Sequence, residues 1–231
     1  MTWRPTRVIR GDAVAEVRRL KAQAGKESRV CRVRAGADRL TLGEAVGRLM
    51  RVLRLILVRH GEALRGSGDG SVPAPDYGLT AVGREQARAT AKYLDAVGHL
   101  ERCRLLISSP APRARETADI LATRYSGERA VGVAFSEIGE LPDGTREDLT
   151  AGQKRATTAL ETLARKHEGC TLIIVTHSGF ITASVRALFA IPTPGTGARL
   201  EPSCAAYTEW RHDGGTWLLA GYNVTPAPSE V

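Results

Sequence analysis

The chain has 231 residues, 42% hydrophobic and 25% charged, the balance of a soluble globular protein of one domain or of one domain with an appendage. Its four cysteines, Cys31, Cys103, Cys170 and Cys204, lie far apart and form no CxxC pair, which argues against a zinc site or a disulfide scaffold and suits a reducing cytoplasm. No signal-peptide pattern opens the chain, and the apolar run from Val52 to Val58 is broken by Arg54 and too short to span a membrane.

The formal net charge of +8 is unevenly spread. Residues 1–54 hold 14 Lys/Arg against 5 Asp/Glu, a net of +9, and residues 55–231 hold 19 against 20, a net of −1. The main part of the chain therefore carries no basic signature of specific nucleic-acid binding, and a basic arm would bind nucleic acid only non-specifically. In this first quarter the pattern predicts a strand at Thr6–Ile9, then a helix capped by Asp12 with Ala13, Val14, Val17 and Leu20 at helical spacing. A short strand over Ser28–Arg34 and a helix over Thr41–Leu53 follow. The run Gly11–Lys21, with Gly25-Lys26 after it, resembles about thirty residues of the reductase domains related to dihydrofolate reductase, without a catalytic motif. A fragment of this size buries little apolar surface alone. It reads as a docked appendage, a disordered basic arm, or sequence outside the functional unit. Met50 is the only methionine besides Met1. The expected organisation is a basic extension over residues 1–49 and a functional domain over 50–231.

Leu55-Ile56-Leu57-Val58 runs straight into Arg59-His60-Gly61-Glu62. A continuous apolar run ending in Gly predicts a buried parallel strand and a tight turn. Ligands of open α/β sheets bind at the carboxyl ends of strands, so Arg59 and His60 belong at the rim of a site. A guanidinium holds phosphoryl oxygens as a fork, and a neutral imidazole beside it can attack phosphorus. Residues 63–76, rich in Gly, Ser, Pro and Asp, predict a loop, either a lid or a solvated connection. Thr80 caps a helix running to about Val97, with Val82, Ala89, Tyr93 and Leu94 as buried candidates, and Gly98 stops it. Arg104–Ile107 predicts a second buried strand. Ser109 is the expected cap of the next helix, with Pro110 and Pro112 in its first turn. That helix N-terminus would face an anion, and Arg113 would reach the same anion, whereas Arg115 lies further round the helix and belongs in solvent.

Arg129–Phe135 predicts a third strand, followed by Ser136-Glu137-Ile138-Gly139-Glu140. A helix over Thr150–His167 buries Ala156, Leu160, Leu163 and Ala164. Cys170–Val175 is the most apolar strand and ends in Thr176-His177-Ser178-Gly179, before a helix to about Phe189. A second histidine thus stands where the first does. His99, His167 and His212 have no such setting and are expected in solvent. Strands over Ala205–Arg211 and Thr216–Tyr222 flank the turn His212-Asp213-Gly214-Gly215 as a hairpin. The predicted fold class is α/β, a three-layer α/β/α arrangement around a mostly parallel sheet.

Four motifs in order carry a family resemblance: Arg59-His60-Gly61; Leu79-Thr80-x-x-Gly83-x-x-Gln86-Ala87; Ser108-Ser109-Pro110-x-x-Arg113-Ala114-x-x-Thr117-Ala118; and Val175-Thr176-His177. Across residues 54 to about 223 the chain resembles the histidine phosphatase superfamily, which includes the cofactor-dependent phosphoglycerate mutases. The resemblance implies the phosphoglycerate mutase-like fold and a phosphohistidine formed on His60, with phosphate held by Arg59, Arg113 and His177. It also implies a glutamate acid soon after the third strand. Glu137 matches that place best and Glu140 is the alternative. Gly61, Glu62 and Ser178 are secondary positions. Ala63 and Gly66 stand where many members have Thr or Ser and then Asn, and Ser178 follows a histidine that many members follow with Gly. These departures leave the substrate open.

The expected activity is metal-independent hydrolysis of a small phosphorylated metabolite in the cytoplasm, with no cofactor, no membrane and no specific nucleic acid as partner. A homodimer is compatible with this. The stretch from Glu137 to His177 is short, whereas the mutases carry a longer cap there, which favours hydrolysis over a mutase-type transfer. The open site also fits a phosphohistidine protein phosphatase acting on a phosphoprotein. A non-catalytic phospho-ligand binding module would need only the arginines.

Overall fold

Leu53–Arg59 forms strand β1, and its five apolar residues are fully buried because both faces of the sheet are covered. The computed structural model describes residues 51–65, 76–139, 141, 144–192 and 200–226, all within Arg51–Val231, the second of the two units into which the chain divides. The readings made for residues 1–50 and for Glu140 lie outside the described residues.

The other strands are β2 (Ala63–Arg65), β3 (Asp76–Leu79), β4 (Cys103–Ser108), β5 (Glu128–Val131), β6 (Thr171–Thr176), β7 (Tyr207–His212) and β8 (Trp217–Val224). The main sheet has the order β5-β4-β6-β1-β7-β8. Its first four strands are parallel, and β7 and β8 join antiparallel. Among the described residues four helices flank it: α1 (Ala81–Ala96), α2 (Pro112–Ala122), α3 (Leu149–Lys166) and α4 (Ser178–Leu188).

Alternation along the strands feeds two cores. Leu53, Leu55 and Leu57 of β1, with Leu172 and Ile174 of β6, pack with Leu160 and Leu163 of α3 and Phe180 and Ile181 of α4. Ile56 and Val58, with Ile173 and Val175, pack with Ala91 and Leu94 of α1 and Ala114, Ala118 and Leu121 of α2. Each such large side chain contributes about 1.5–3 kcal/mol on burial. The fold is the expected three-layer α/β class. Among the described residues no helix is long and apolar enough to cross a membrane.

Several local expectations are corrected. Residues 63–76 are not all loop, because β2 and β3 pair as a small antiparallel ribbon. Strands of three and four residues, one holding Gly78 at φ 84°, are too short to show a period. The third strand stops at Val131, and Val133–Phe135 is a single 3-10 turn that tucks Phe135 against Phe180, with ring centroids 5.5 Å apart. Helix α2 starts at Pro112 with Ala111 as its cap, not Ser109. Val82 is 54% exposed; the face of α1 toward the core carries Gly83, Ala87, Thr90, Ala91 and Leu94, with Ala89 and Tyr93 half-buried beside it.

His99 is also buried rather than exposed, whereas His167 and His212 are half-buried. Gly98 at φ 72° turns the chain back, and the His99 ring packs edge-on to Tyr207 with centroids 6.3 Å apart. Burial holds this imidazole below its ordinary value of 6.5; Glu209 opposes the shift, and Arg54, Arg102 and Arg211 add to it. The unfolded chain therefore takes up the proton first as pH falls. The stability contribution is complete above the unfolded value and is lost as pH drops below about 6.5. The thermal midpoint of the wild type should accordingly fall between about pH 7 and pH 5.5, and that of His99→Gln should fall less. Equal slopes in a melting series across that range would contradict this.

Candidate active site

Parallel pairing of β1 with β6 places Arg59 opposite Thr176, so each strand delivers a histidine from the same edge. The His60 N–H donates to the Thr176 carbonyl at 2.9 Å, and the two imidazoles meet edge to face with centroids 5.1 Å apart. Both are buried, His60 at 5% and His177 at 0% exposure. Arg113, one residue inside α2, lies between them at 9% exposure. Its Nε donates to His60 Nε2 at 3.1 Å, and its Nη2 is 3.0 Å from His177 Nδ1.

These contacts fix the tautomers. A guanidinium has donors only, so both ring nitrogens facing it accept and carry lone pairs. His60 Nδ1 is 2.7 Å from the Gly61 carbonyl and donates its proton there. His177 Nε2 is 2.8 Å from Ser109 Oγ and donates to it. His60 thus presents a deprotonated Nε2, as a nucleophile requires.

Glu137 approaches from the far side, with its Oε2 3.9 Å from His177 Nδ1 and its side chain 27% exposed. Its Oε1 accepts the Ile138 N–H at 3.0 Å. Arg59 Nη1 donates to the Pro202 carbonyl. A cavity of about 480 Å³ opens over the group, lined by Arg59, His60, Glu62, Ala63, Glu137, Ser178, Glu201 and Cys204. Arg115 is exposed and takes no part.

The motifs acquire physical reasons. A Cβ on Gly61 would stand 2.4 Å from the Gly83 carbonyl oxygen, and one on Gly83 would stand 2.0 Å from the Glu62 carbonyl oxygen. Only paired glycines let the turn after His60 lie on the first turn of α1. Around that contact the Thr80 hydroxyl caps α1 by accepting the Gly83 N–H at 2.9 Å and donates to Glu62 Oε1 at 2.7 Å. Gln86 Oε1 accepts the Glu62 N–H at 2.9 Å. Thr117 Oγ1 accepts the Gly61 N–H at 3.1 Å and donates to the Arg113 carbonyl at 2.8 Å, tying the turn to α2.

Sequence reasoning thus brought His60, His177, Arg59, Arg113 and Glu137 to one place. It missed Ser109 as the partner of His177, Thr117 as a tie, and Glu201 and Cys204 as walls. Ser109 and Thr117 stand inside a quoted motif and were legible as motif positions. Glu201 and Cys204 arrive from a distant loop with no local signal.

Two glycine substitutions separate scaffold from chemistry. Gly83→Ala drives a methyl into backbone and should cost about 1–3 kcal/mol of stability, read as a lowered denaturation midpoint. At Gly179 a Cβ would meet Glu137 Oε1 at 2.0 Å, the far end of a flexible side chain, and Ile138 Cβ at 3.2 Å. Gly179→Ala should therefore lower the midpoint less than Gly83→Ala while turnover falls by roughly tenfold or more through displacement of the carboxylate.

Residues 55–139 and 134–225 match the histidine phosphatase superfamily, branch 1. Over 177 residues, 62% of this chain and 77% of the relative, the sequence is 27% identical to a glucosyl-3-phosphoglycerate phosphatase of Mycolicibacterium vanbaalenii. Over 162 residues, 57% of this chain and 67% of the relative, it is 29% identical to a metal-independent phosphoserine phosphatase of Arabidopsis thaliana. The solved structure of Bacillus stearothermophilus YhfR covers 73% of this chain and 95% of its own at 25% identity, with a TM-score of 0.59. With the family pattern spanning most of the second unit, the chain belongs to the histidine phosphatase superfamily, branch 1.

Proposed function

We propose that this histidine phosphatase hydrolyses a small phosphorylated metabolite through a phosphohistidine on His60, without a metal ion. The observation that carries the reading is Arg113, whose guanidinium spans His60 Nε2 at 3.1 Å and His177 Nδ1 at 3.0 Å. That arrangement concentrates donors where phosphoryl oxygens would sit and keeps the attacking nitrogen deprotonated, its lone pair released when Arg113 turns to the phosphoryl group. The relatives' names add phosphatase action on a phosphorylated glycerate derivative and, metal-independently, on phosphoserine.

His60 Nε2 attacks phosphorus in line, so an N–P bond forms as the ester P–O bond breaks. Arg59 and Arg113 meet the charge spread over the equatorial oxygens, and His177 joins them once the phosphoryl group displaces Arg113 from its Nδ1 and that nitrogen takes up a proton. Arg59 Nε is buried with no partner among the described residues, and a phosphoryl oxygen would satisfy it. Glu137 gives its proton to the departing alkoxide. It then takes a proton from the water that attacks phosphorus, the N–P bond breaks, and phosphate leaves. Among the described residues, the only helix between Glu137 and His177 is α3, which leads into β6; so short a segment favours an open cavity and hydrolysis over transfer to a second hydroxyl. We place this activity in residues 50–231 and in the cytoplasm, where Cys103, Cys170 and Cys204, all free thiols, stay reduced.

The test is release of p-nitrophenol from its phosphate ester with EDTA present. Turnover should survive EDTA and disappear in His60→Ala, with a loss on the order of 10³-fold or more. Quenching the wild type during turnover should trap an acid-labile phosphoenzyme that His60→Ala lacks. EDTA-sensitive turnover, or turnover retained by His60→Ala, would refute the reading. A protein begun at Met50 should match the full chain in kcat/KM.

A further inference from the structure

Arg155 on α3 directs its guanidinium at the segment that carries Glu137. Its side chain is 16% exposed and that of its partner Glu147 is 9% exposed. Nη1 donates to the carbonyls of Ala134 at 2.7 Å and Ser136 at 3.1 Å. Nη2 donates to the carbonyl of Glu137 at 3.0 Å. Nε donates to Glu147 Oε1 and Oε2 at 3.2 and 3.1 Å, and Nη2 also bonds Glu147.

A guanidinium has five N–H groups in a rigid fork, and here the fork is committed to one short stretch of backbone and to the carboxylate beyond it. Glu147 closes the same loop, because its N–H donates to the Gly139 carbonyl at 3.2 Å. From the opposite side Thr176 Oγ1 donates to the Phe135 carbonyl at 2.6 Å. Segment 134–137 is therefore held to α3 by Arg155 and to β6 by Thr176, one residue before His177.

Burying a charge pair is a poor way to stabilise a helix-to-loop contact, since desolvation offsets most of the attraction. What the pair does provide is a fixed backbone at Glu137, a residue whose own side chain is flexible and partly exposed. We infer that Arg155 is a positioning residue for proton transfer: it sets the backbone from which Glu137 reaches the leaving oxygen. This rests on the reading of Glu137 as the acid. Arg155 lines neither the cavity nor the histidine cluster, so it acts through Glu137 alone.

A positioning role for the acid has a signature that a structural role lacks. A p-nitrophenolate leaves without a proton, whereas an alkoxide needs one. The experiment compares kcat/KM for p-nitrophenyl phosphate and 2-glycerophosphate in the full chain, for Arg155→Met, Arg155→Lys, Glu137→Gln and the double variant Arg155→Met/Glu137→Gln. This parameter reports only steps up to phosphoenzyme formation. Arg155→Met should lose roughly tenfold or more on 2-glycerophosphate and stay within about threefold on p-nitrophenyl phosphate. Arg155→Lys keeps the charge beside Glu147 but loses the fork; it should fold like the wild type and fall between wild type and Arg155→Met, which keeps the test decisive if Met unfolds the chain. In the Glu137→Gln background, Arg155→Met should cost nothing further on 2-glycerophosphate.

Equal losses on both esters in a folded Arg155 variant, or an undiminished loss in the double variant, would overturn the inference and leave Glu137 standing as the acid. If Glu137→Gln itself treats the two esters alike, the acid reading fails, and the role of Arg155 falls with it.

Discussion

The parallel registration of β1 on β6 is the constraint on which the site depends. Arg59 is opposite Thr176, so the residues that follow, His60 and His177, leave the sheet side by side. The bond from the His60 N–H to the Thr176 carbonyl continues the ladder one step past the strand. Slippage by one residue would reverse the faces of β6, sending Ile173 and Ile174 into each other's cores and separating the imidazoles. The cores on the two faces of the sheet thus enforce the alignment that the chemistry needs. Neither histidine has to be held by a flexible loop.

Arg113 then resolves an electrostatic problem. Two buried imidazoles at 5.1 Å would repel strongly if both were charged. A guanidinium between them makes the neutral form of each favourable, because each can offer it a lone pair. The arginine is in turn fixed by its place in the first turn of α2 and by Thr117, which links its carbonyl to the Gly61 N–H. The Gly61–Gly83 backbone contact brings α1 against the same turn. The turn after His60 is thus held from α1 and α2 at once, which gives the short motifs on three separate elements one common contact point.

Much of this was legible in the sequence, for identifiable reasons. Leu55–Val58 of β1, the carboxyl-terminal half of β4 and the whole of β6 are buried, and burial writes itself as an apolar run. Arg59, His60 and His177 stand immediately past such runs. Arg113 was separable from Arg115 by helical rotation alone. The failures share a cause, which is that the deciding contact was long-range. β5 has all four residues exposed and carries no pattern, so its end at Val131 was hidden. Ser109 reads locally as a helix cap, yet its hydroxyl pairs with a histidine 68 positions away. His99 is a lone polar residue after the helix-stopping Gly98, and its burial rests on a long-range contact with Tyr207 of β7.

The same contrast separates the two kinds of group in the site. Arg59, His60, Arg113 and His177 stand at strand ends and in a helix turn, where backbone hydrogen bonds leave little freedom. Glu137 stands on an irregular segment between β5 and α3, with a partly exposed side chain. Proton transfer to an alkoxide tolerates less misplacement than charge stabilisation does, because it requires hydrogen-bond contact with one oxygen atom. On the proposed reading of Glu137 as the acid, its irregular backbone must therefore borrow rigidity from neighbouring elements. β6 lends it through Thr176 and α3 through the fork of Arg155. The walls that would meet the leaving group, Glu62 and Glu201 among them, come instead from segments outside the main sheet. These segments do not share the register of β1 on β6 that aligns the two histidines, so a family pattern carried by the strand ends leaves the substrate to be read from the cavity wall.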